Sequence, residues 1–285
     1  MSKYQERFTL VINFIEANLD EDLDVEKLCK LACFSKYHFH RQCSVFIGMS
    51  VMSLTRLLRL KRAAYRLAYR DDLVIDIALD SGYESHEAFS RIFKKYFHKS
   101  PSDFRKQPDW TPWHSIYEPI STLRIKIMQT TPEVRIVDFP NTAIAVMEHR
   151  GAPDLLPSTI QQFIQWRKAN GLPPRKSRTF NLVYDDPNTT APEDYRVDLG
   201  CSVETAIEKT ETGVVNKTIP EGKCALVRHQ GSDDTLGAIV YFLYAEWLEN
   251  SPYELRDFPV FFERISFFPD VPENETITDI YLPIR

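Results

Sequence analysis

Two short stretches, 50 residues apart, carry side chains suited to reading the edges of bases. "SKYHFHR" (Ser35–Arg41) and "SHEAFSR" (Ser85–Arg91) align with Ser35 over Ser85, Phe39 over Phe89 and Arg41 over Arg91. Arginine forks onto guanine O6 and N7, and glutamate accepts from cytosine N4. Phe39 and Phe89 read as core anchors. Tyr37, His40 and Arg41 in the first copy, and His86, Glu87, Ser90 and Arg91 in the second, are left for an outward face.

The surrounding sequence supplies elements that would hold these faces. Phe8, Val11, Ile12, Ile15 and Leu19 recur at helical spacing. "DVEKLCKLA" opens on Asp24, a candidate N-cap, and a short turn leads to Ser35, a second one. Two short helices joined by a tight turn make a helix-turn-helix. "VIDIALDSGY" repeats the short helix ahead of the second copy, with Gly82 at a turn position that tolerates positive φ. Between the copies, Val51–Arg70 holds neither Gly nor Pro and predicts one long helix. Its 20 residues would span about 30 Å, close to the roughly 34 Å of one turn of B-DNA. Such a rod would set two recognition helices into successive major grooves.

On these motifs, together with the closing segment "FSRIFKKYFHKSPSDFR" (Phe89–Arg105), residues 5–107 resemble the AraC/XylS family of bacterial transcription regulators. The resemblance implies base contacts at Tyr37, His40, Arg41, His86, Glu87, Ser90 and Arg91. Lys36, Lys94 and Lys95 read as phosphate contacts, which position a protein without reading sequence. Cys33 departs from the family pattern, which has Gly at that turn. At single positions plainer roles stay open: His40 as a solvated side chain, and Glu87 as a partner of Arg91 at i, i+4 spacing.

Charge divides the chain. The 285 residues carry a net charge of −5, but residues 1–107 hold 18 Lys and Arg against 14 Asp and Glu, whereas residues 108–285 hold 17 against 26. The two halves invite different partners. Between them lies "QPDWTPWHSIYEPIST" (Gln107–Thr122), where Pro108, Pro112 and Pro119 are expected to exclude a continuous helix. The expected organisation is a double helix-turn-helix domain over 1–107, a Pro-rich linker over 108–123 that packs on one domain through Trp110 and Trp113, and a second domain over 124–285. Five dispersed cysteines without a C-x-x-C pair argue against a disulfide framework and read as buried thiols. No apolar run is long enough to span a bilayer, and the first residues lack signal-peptide character, so a cytoplasmic location and no membrane partner are expected.

The acidic half is also duplicated. "FPNTAIAVMEHRG" stands over "IPEGKCALVRHQG", and each copy continues through a helical segment, ending near Trp166 or Trp247, into two strands. A duplicated βαββ unit predicts an α+β domain: an antiparallel sheet covered by two helices, with a groove along its pseudo-twofold axis. In "FPVFFERISFF", alternation places Phe261, Glu263, Ile265 and Phe267 on one strand face. A carboxylate among rings disfavours its charged form until a cation or donor approaches, which suits an amphipathic cationic ligand. Tyr184, Trp247 and Phe180 are the candidate rings, with core packing as their plainer role. An ion pair with Arg178 or Arg196 is the alternative for Glu263. His149 and His229 recur through duplication without an accompanying acid or thiol cluster, so no metal or cofactor is expected there, and "DDPNTTAPEDY" reads as a surface loop.

"LVYDDP" (Leu182–Pro187), "IPEGKCALVRHQG" (Ile219–Gly231), "YAEWLENS" (Tyr244–Ser251) and "FPVFFERISFF" (Phe258–Phe268), in that order, make residues 124–285 resemble the GyrI-like small-molecule effector domain. The resemblance implies an aromatic pocket with one acidic residue, which matches Glu263. The expected function is a regulator that binds double-stranded promoter DNA, senses a small effector and acts on RNA polymerase. Two DNA-reading motifs in one chain permit binding as a monomer. The alternative is a small-molecule hydrolase, with Glu263 and Trp247 as its catalytic pair; a gyrase-interacting role rests on the resemblance alone.

Overall fold

Short polar side chains open the helices of the first half. In the computed structural model, which describes residues 3–127, 131–208 and 213–285, Asp24, Ser35, Ser50, Ser85 and Ser100 each accept a hydrogen bond from a backbone N–H two or three residues on. They begin α2 (Val25–Leu31), α3 (Lys36–Ile47), α4 (Val51–Tyr69), α6 (His86–Phe97) and α7 (Pro101–Lys106). α1 (Lys3–Ala17), α5 (Val74–Asp80) and α8 (Thr111–Ile127) complete the set among the described residues. No single helix there is long and apolar enough to cross a membrane.

α2–α3 and α5–α6 are the two helix-turn-helices. Both turns close with the same backbone bond, from Phe34 N–H to Cys29 C=O (3.0 Å) and from Tyr83 N–H to Ala78 C=O (3.1 Å). Both need a left-handed residue, Cys33 at φ 54° and Gly82 at φ 80°. Cys33 therefore takes the strained conformation itself, and its side chain is exposed, unlike the four other cysteines. The Cys33→Gly protein is expected to be more stable by about 0.5–1 kcal/mol, the αL relief less the added unfolded-state entropy. Gly82→Ala should lose stability, because alanine would have to hold the left-handed φ of 80° there, with the Arg59 guanidinium displaced as well. Denaturant midpoints of the two proteins check both signs.

Arginines of α4 fix the motifs to that helix. Arg59 donates to the Leu19 and Glu21 carbonyls beyond α1, while Arg66 pairs with Asp72 and Asp80 around α5. These cations tie the flanking segments to α4.

The Pro-rich stretch expected as a linker is a correction. α8 runs through Pro112 and Pro119 to Ile127, within the first unit. Pro112 lies in the first turn of the helix, where its missing N–H costs nothing. Pro119 is on the exposed side, so water can satisfy the carbonyl it frees, while Trp113, Tyr117, Ile120 and Leu123 form a buried stripe. Trp113 stacks on Phe97 at 4.9 Å. That burial offsets the loss of one backbone bond.

Two later segments, Ser232–Thr235 and Phe268–Glu275, also belong to the first unit. Glu273 is buried there between Lys61 of α4 (2.6 Å) and Arg124 of α8 (2.8 Å). Arg124 also pairs with Asp234 and with Glu16 of α1.

The second unit is the duplicated α+β domain, with one correction to its repeat. β1 (Arg135–Phe139), β2 (Thr142–Arg150), α9 (Leu156–Ala169), β3 (Thr179–Val183) and β4 (Arg196–Ser202) form the first copy. β5 (Val214–Ile219), β6 (Gly222–Gln230), α10 (Leu236–Phe242) with the π turn Leu243–Trp247, β7 (Val260–Arg264) and β8 (Ile277–Pro283) form the second. Each copy is ββαββ, not βαββ, because its leading strand pairs with the other copy: β1 with β6 and β5 with β2. The sheet order β1-β6-β8-β7-β3-β4-β2-β5 is unchanged when the copies are exchanged. The pseudo-twofold axis therefore passes between β3 and β7. Phe139 of edge strand β1 lies 4.9 Å from Phe261, although β1 and β7 are three strand spacings, about 14 Å, apart along a flat sheet. The sheet is curled.

Candidate nucleic-acid interface and effector site

α3 and α6 sort their residues as a reading helix must. Phe39, Cys43 and Ile47 of α3, and Phe89, Phe93 and Phe97 of α6, are buried. Lys36, Tyr37, His40 and Arg41 are exposed on the first helix, and His86, Glu87, Arg91, Lys94 and Lys95 on the second. Ser90 differs: its hydroxyl is buried, which leaves it unavailable to a base edge in this conformation. Glu87 faces the helix N-terminus, and hydrogen bonds from its own N–H and from Ser85 hold its carboxyl below the usual range. It stays an anion, hence an acceptor. The two helices present cations and acceptors over a fixed aromatic base, the arrangement that base-edge and phosphate contacts require.

In the second unit, Phe180 and Glu263 are register partners across the β3–β7 seam, and Leu182 is opposite Phe261. Phe139, Phe180, Phe261 and Tyr281 form one ring cluster, with Phe261 and Tyr281 stacked at 4.9 Å. Glu263 lies at its border, buried, and the Tyr281 hydroxyl donates to it at 3.3 Å.

Of the two cations that the sequence offered Glu263, the structure selects Arg178. Its Nε and Nη2 donate to the two carboxylate oxygens at 2.7 Å each, while its guanidinium lies 4.9 Å from the Phe180 ring and 5.3 Å from that of Phe139. The bonds to Glu263 raise the pKa of Arg178. Arg196 instead forks onto Asp185.

Tyr184 packs against the same core and donates its hydroxyl to Asp198 at 2.9 Å. Trp247 stands apart from these contacts, on the π turn, stacked on Tyr253. Asp198 and Asp279 occupy equivalent positions of the two copies and are both buried, the first held by Arg150 and Lys217, the second by Arg228. Neither aspartate was singled out in the sequence, although each sits third in its copy's last strand, in "RVDLGCS" and "ITDIYLP". His149 is structural: Nε2–H donates to the Ala152 carbonyl and Nδ1 accepts from Thr159.

Residues 132–285 match the model of the GyrI-like small molecule binding domain, and residues 28–107 that of a helix-turn-helix domain. The second half is 37% identical over 155 residues to the probable transcriptional regulator YgiV of Escherichia coli K12, covering 54% of this chain and 97% of that protein. The first half is 45% identical over 102 residues to the uncharacterized HTH-type transcriptional regulator YbfP of Bacillus subtilis 168, covering 36% of this chain and 35% of that protein. It is also 32% identical over 95 residues to the regulatory protein SoxS of Escherichia coli K12, covering 33% of this chain and 89% of that protein.

Proposed function

This chain belongs to the GyrI-like family, in a DNA-binding transcription regulator whose AraC-type helix-turn-helix domain comes first, and from that premise we propose that both recognition helices read one promoter site while the sheet-borne module answers to a small-molecule effector. The observation that carries this reading is the matched sorting of α3 and α6. Arg41 and Arg91 contact base edges; Tyr37, His40, His86 and Glu87 flank them; Lys36, Lys94 and Lys95 take phosphates. Ser90 contributes by packing. The effector is received at the aromatic face of Phe180, Tyr184 and Glu263. Trp247 lies on the π turn, stacked on Tyr253.

An effector acts only through different affinities for two states of the protein, here states that differ in promoter or RNA polymerase engagement in the cytoplasm. Glu263 in a bidentate pair with Arg178 is poorly placed to activate water, so regulation, and not hydrolysis, is the activity assigned. The test is promoter binding and transcription in vitro with a panel of charged and neutral amphiphiles. A compound that shifts promoter affinity supports the sensing role. Unchanged affinity and transcription across the panel, with DNA binding intact, contradict it.

A further inference from the structure

The position that a cationic ligand would occupy on Glu263 is already filled. A guanidinium forked onto the carboxylate and set against two phenyl rings is an aromatic-cage cation supplied by the chain itself. The same layering recurs along the face. The Arg178 side chain is 40% exposed over Glu263 at 10%, Arg228 52% over Asp279 at 4%, and Arg150 40% over Asp198 at 0%. Glu263 and Asp279 are register partners, as are Asp279 and Arg228, so Glu263, Asp279 and Arg228 make one row across β7, β8 and β6, and Arg178, just ahead of β3, joins it through its side-chain bonds to Glu263. Solvent meets the cations, and the acids lie behind them. Around Tyr184, the ring expected to receive a cation, Arg150, Arg196 and Lys217 already lie 5.7, 5.5 and 5.9 Å from its centroid.

A ligand cation would have to break a part-buried bidentate pair or join like charges, both unfavourable. An anion meets neither obstacle. Arg178 and Arg228 each use Nε and Nη2 on their carboxylate, and a guanidinium has five N–H donors. The remaining Nη1 hydrogens can bond a second acceptor. The planar head also stacks on aromatic rings, so a small aromatic carboxylate satisfies both of its capacities. We infer that the effector of this module is an aromatic or similarly amphipathic anion received by Arg178 and the neighbouring cations, and that Arg178 bars cations from Glu263. The inference rests on the effector-sensing role proposed above.

The test is calorimetric titration of the full chain with 1-naphthoate and with tetraphenylphosphonium. The wild-type protein should bind 1-naphthoate more tightly by roughly tenfold or more, in keeping with charge-assisted hydrogen bonds. Arg178→Ala should lose that margin and gain tetraphenylphosphonium binding; Arg178→Lys, which keeps the charge without the fork, should lose part of the margin and gain none. Should Arg178→Ala not fold, Glu263→Gln serves, because it frees the guanidinium and should retain 1-naphthoate. Tetraphenylphosphonium binding by the wild type as tight as that of 1-naphthoate, and lost in Glu263→Gln, overturns the anion inference alone. Neither probe bound by any of these proteins overturns both it and the sensing role.

Discussion

The Glu273→Ala protein is expected to lose about 3 kcal/mol or more of stability, the loss that follows when one partner of a buried ion pair is removed. Burial pushes the Glu273 carboxyl up, but the charges and hydrogen bonds of Arg124 and Lys61 overcome that and hold it well below the usual carboxylate range. Alanine leaves both cations buried, with Glu16 and the part-exposed Asp234 as their remaining acids. Glu273→Gln keeps the volume and one acceptor, so it should lose less. The sign with pH is fixed by the lowered value. Stability contributed by Glu273 is complete above the unfolded carboxyl pKa, about 4.3, and is lost as pH falls through the folded one. Glu16, raised by burial, works in the opposite sense, so the comparison is with Glu273→Gln: its stability should fall less steeply on acidification below about pH 4.3. Urea midpoints of the three proteins across that range decide the matter. A Glu273→Ala midpoint equal to that of wild type would mean that the cluster adds nothing to the first unit.

Arg41→Ala and Arg91→Ala should each weaken binding to the promoter site by about 1–3 kcal/mol and leave binding to unrelated DNA nearly unchanged. Both side chains are exposed on helices whose buried faces are set by Phe39 and Phe89, so their removal should not disturb the fold. Lys94→Ala should behave differently. A lost phosphate contact weakens all sequences alike and lowers the salt slope by about one. Circular dichroism of each variant separates loss of contact from loss of structure, and a lysine substitution that abolished sequence preference would reverse these assignments.

Much of this was legible in the chain because its signals are local. The caps at Asp24 and Ser35 lie next to the helices they start, and the periodic apolar residues mark one face each. Duplication was visible as repeated spacing. What was not legible depended on distant partners. Pro119 argued for a break, yet the stripe Trp113, Tyr117, Ile120 and Leu123 has helical spacing, and its burial against the first unit's core outweighs one missing bond. The ties of Arg59, Arg62 and Arg66 to the segments around α1 and α5 also depend on distant partners. The exchange of β1 and β5 between copies cannot be read from either strand alone. Glu263 had two possible arginines, and the register that pairs Phe180 with Glu263 puts Arg178 beside it.

The most direct measurement is fluorescence anisotropy of the intact protein on DNA from upstream of its own gene and on a scrambled duplex, across a salt series, with Arg41→Ala and Arg91→Ala alongside. Twin recognition predicts tighter binding to the native sequence, with that preference reduced by either substitution. Equal binding to both duplexes, unchanged by either substitution at every salt concentration and with each effector candidate added, would contradict promoter reading by the two helices.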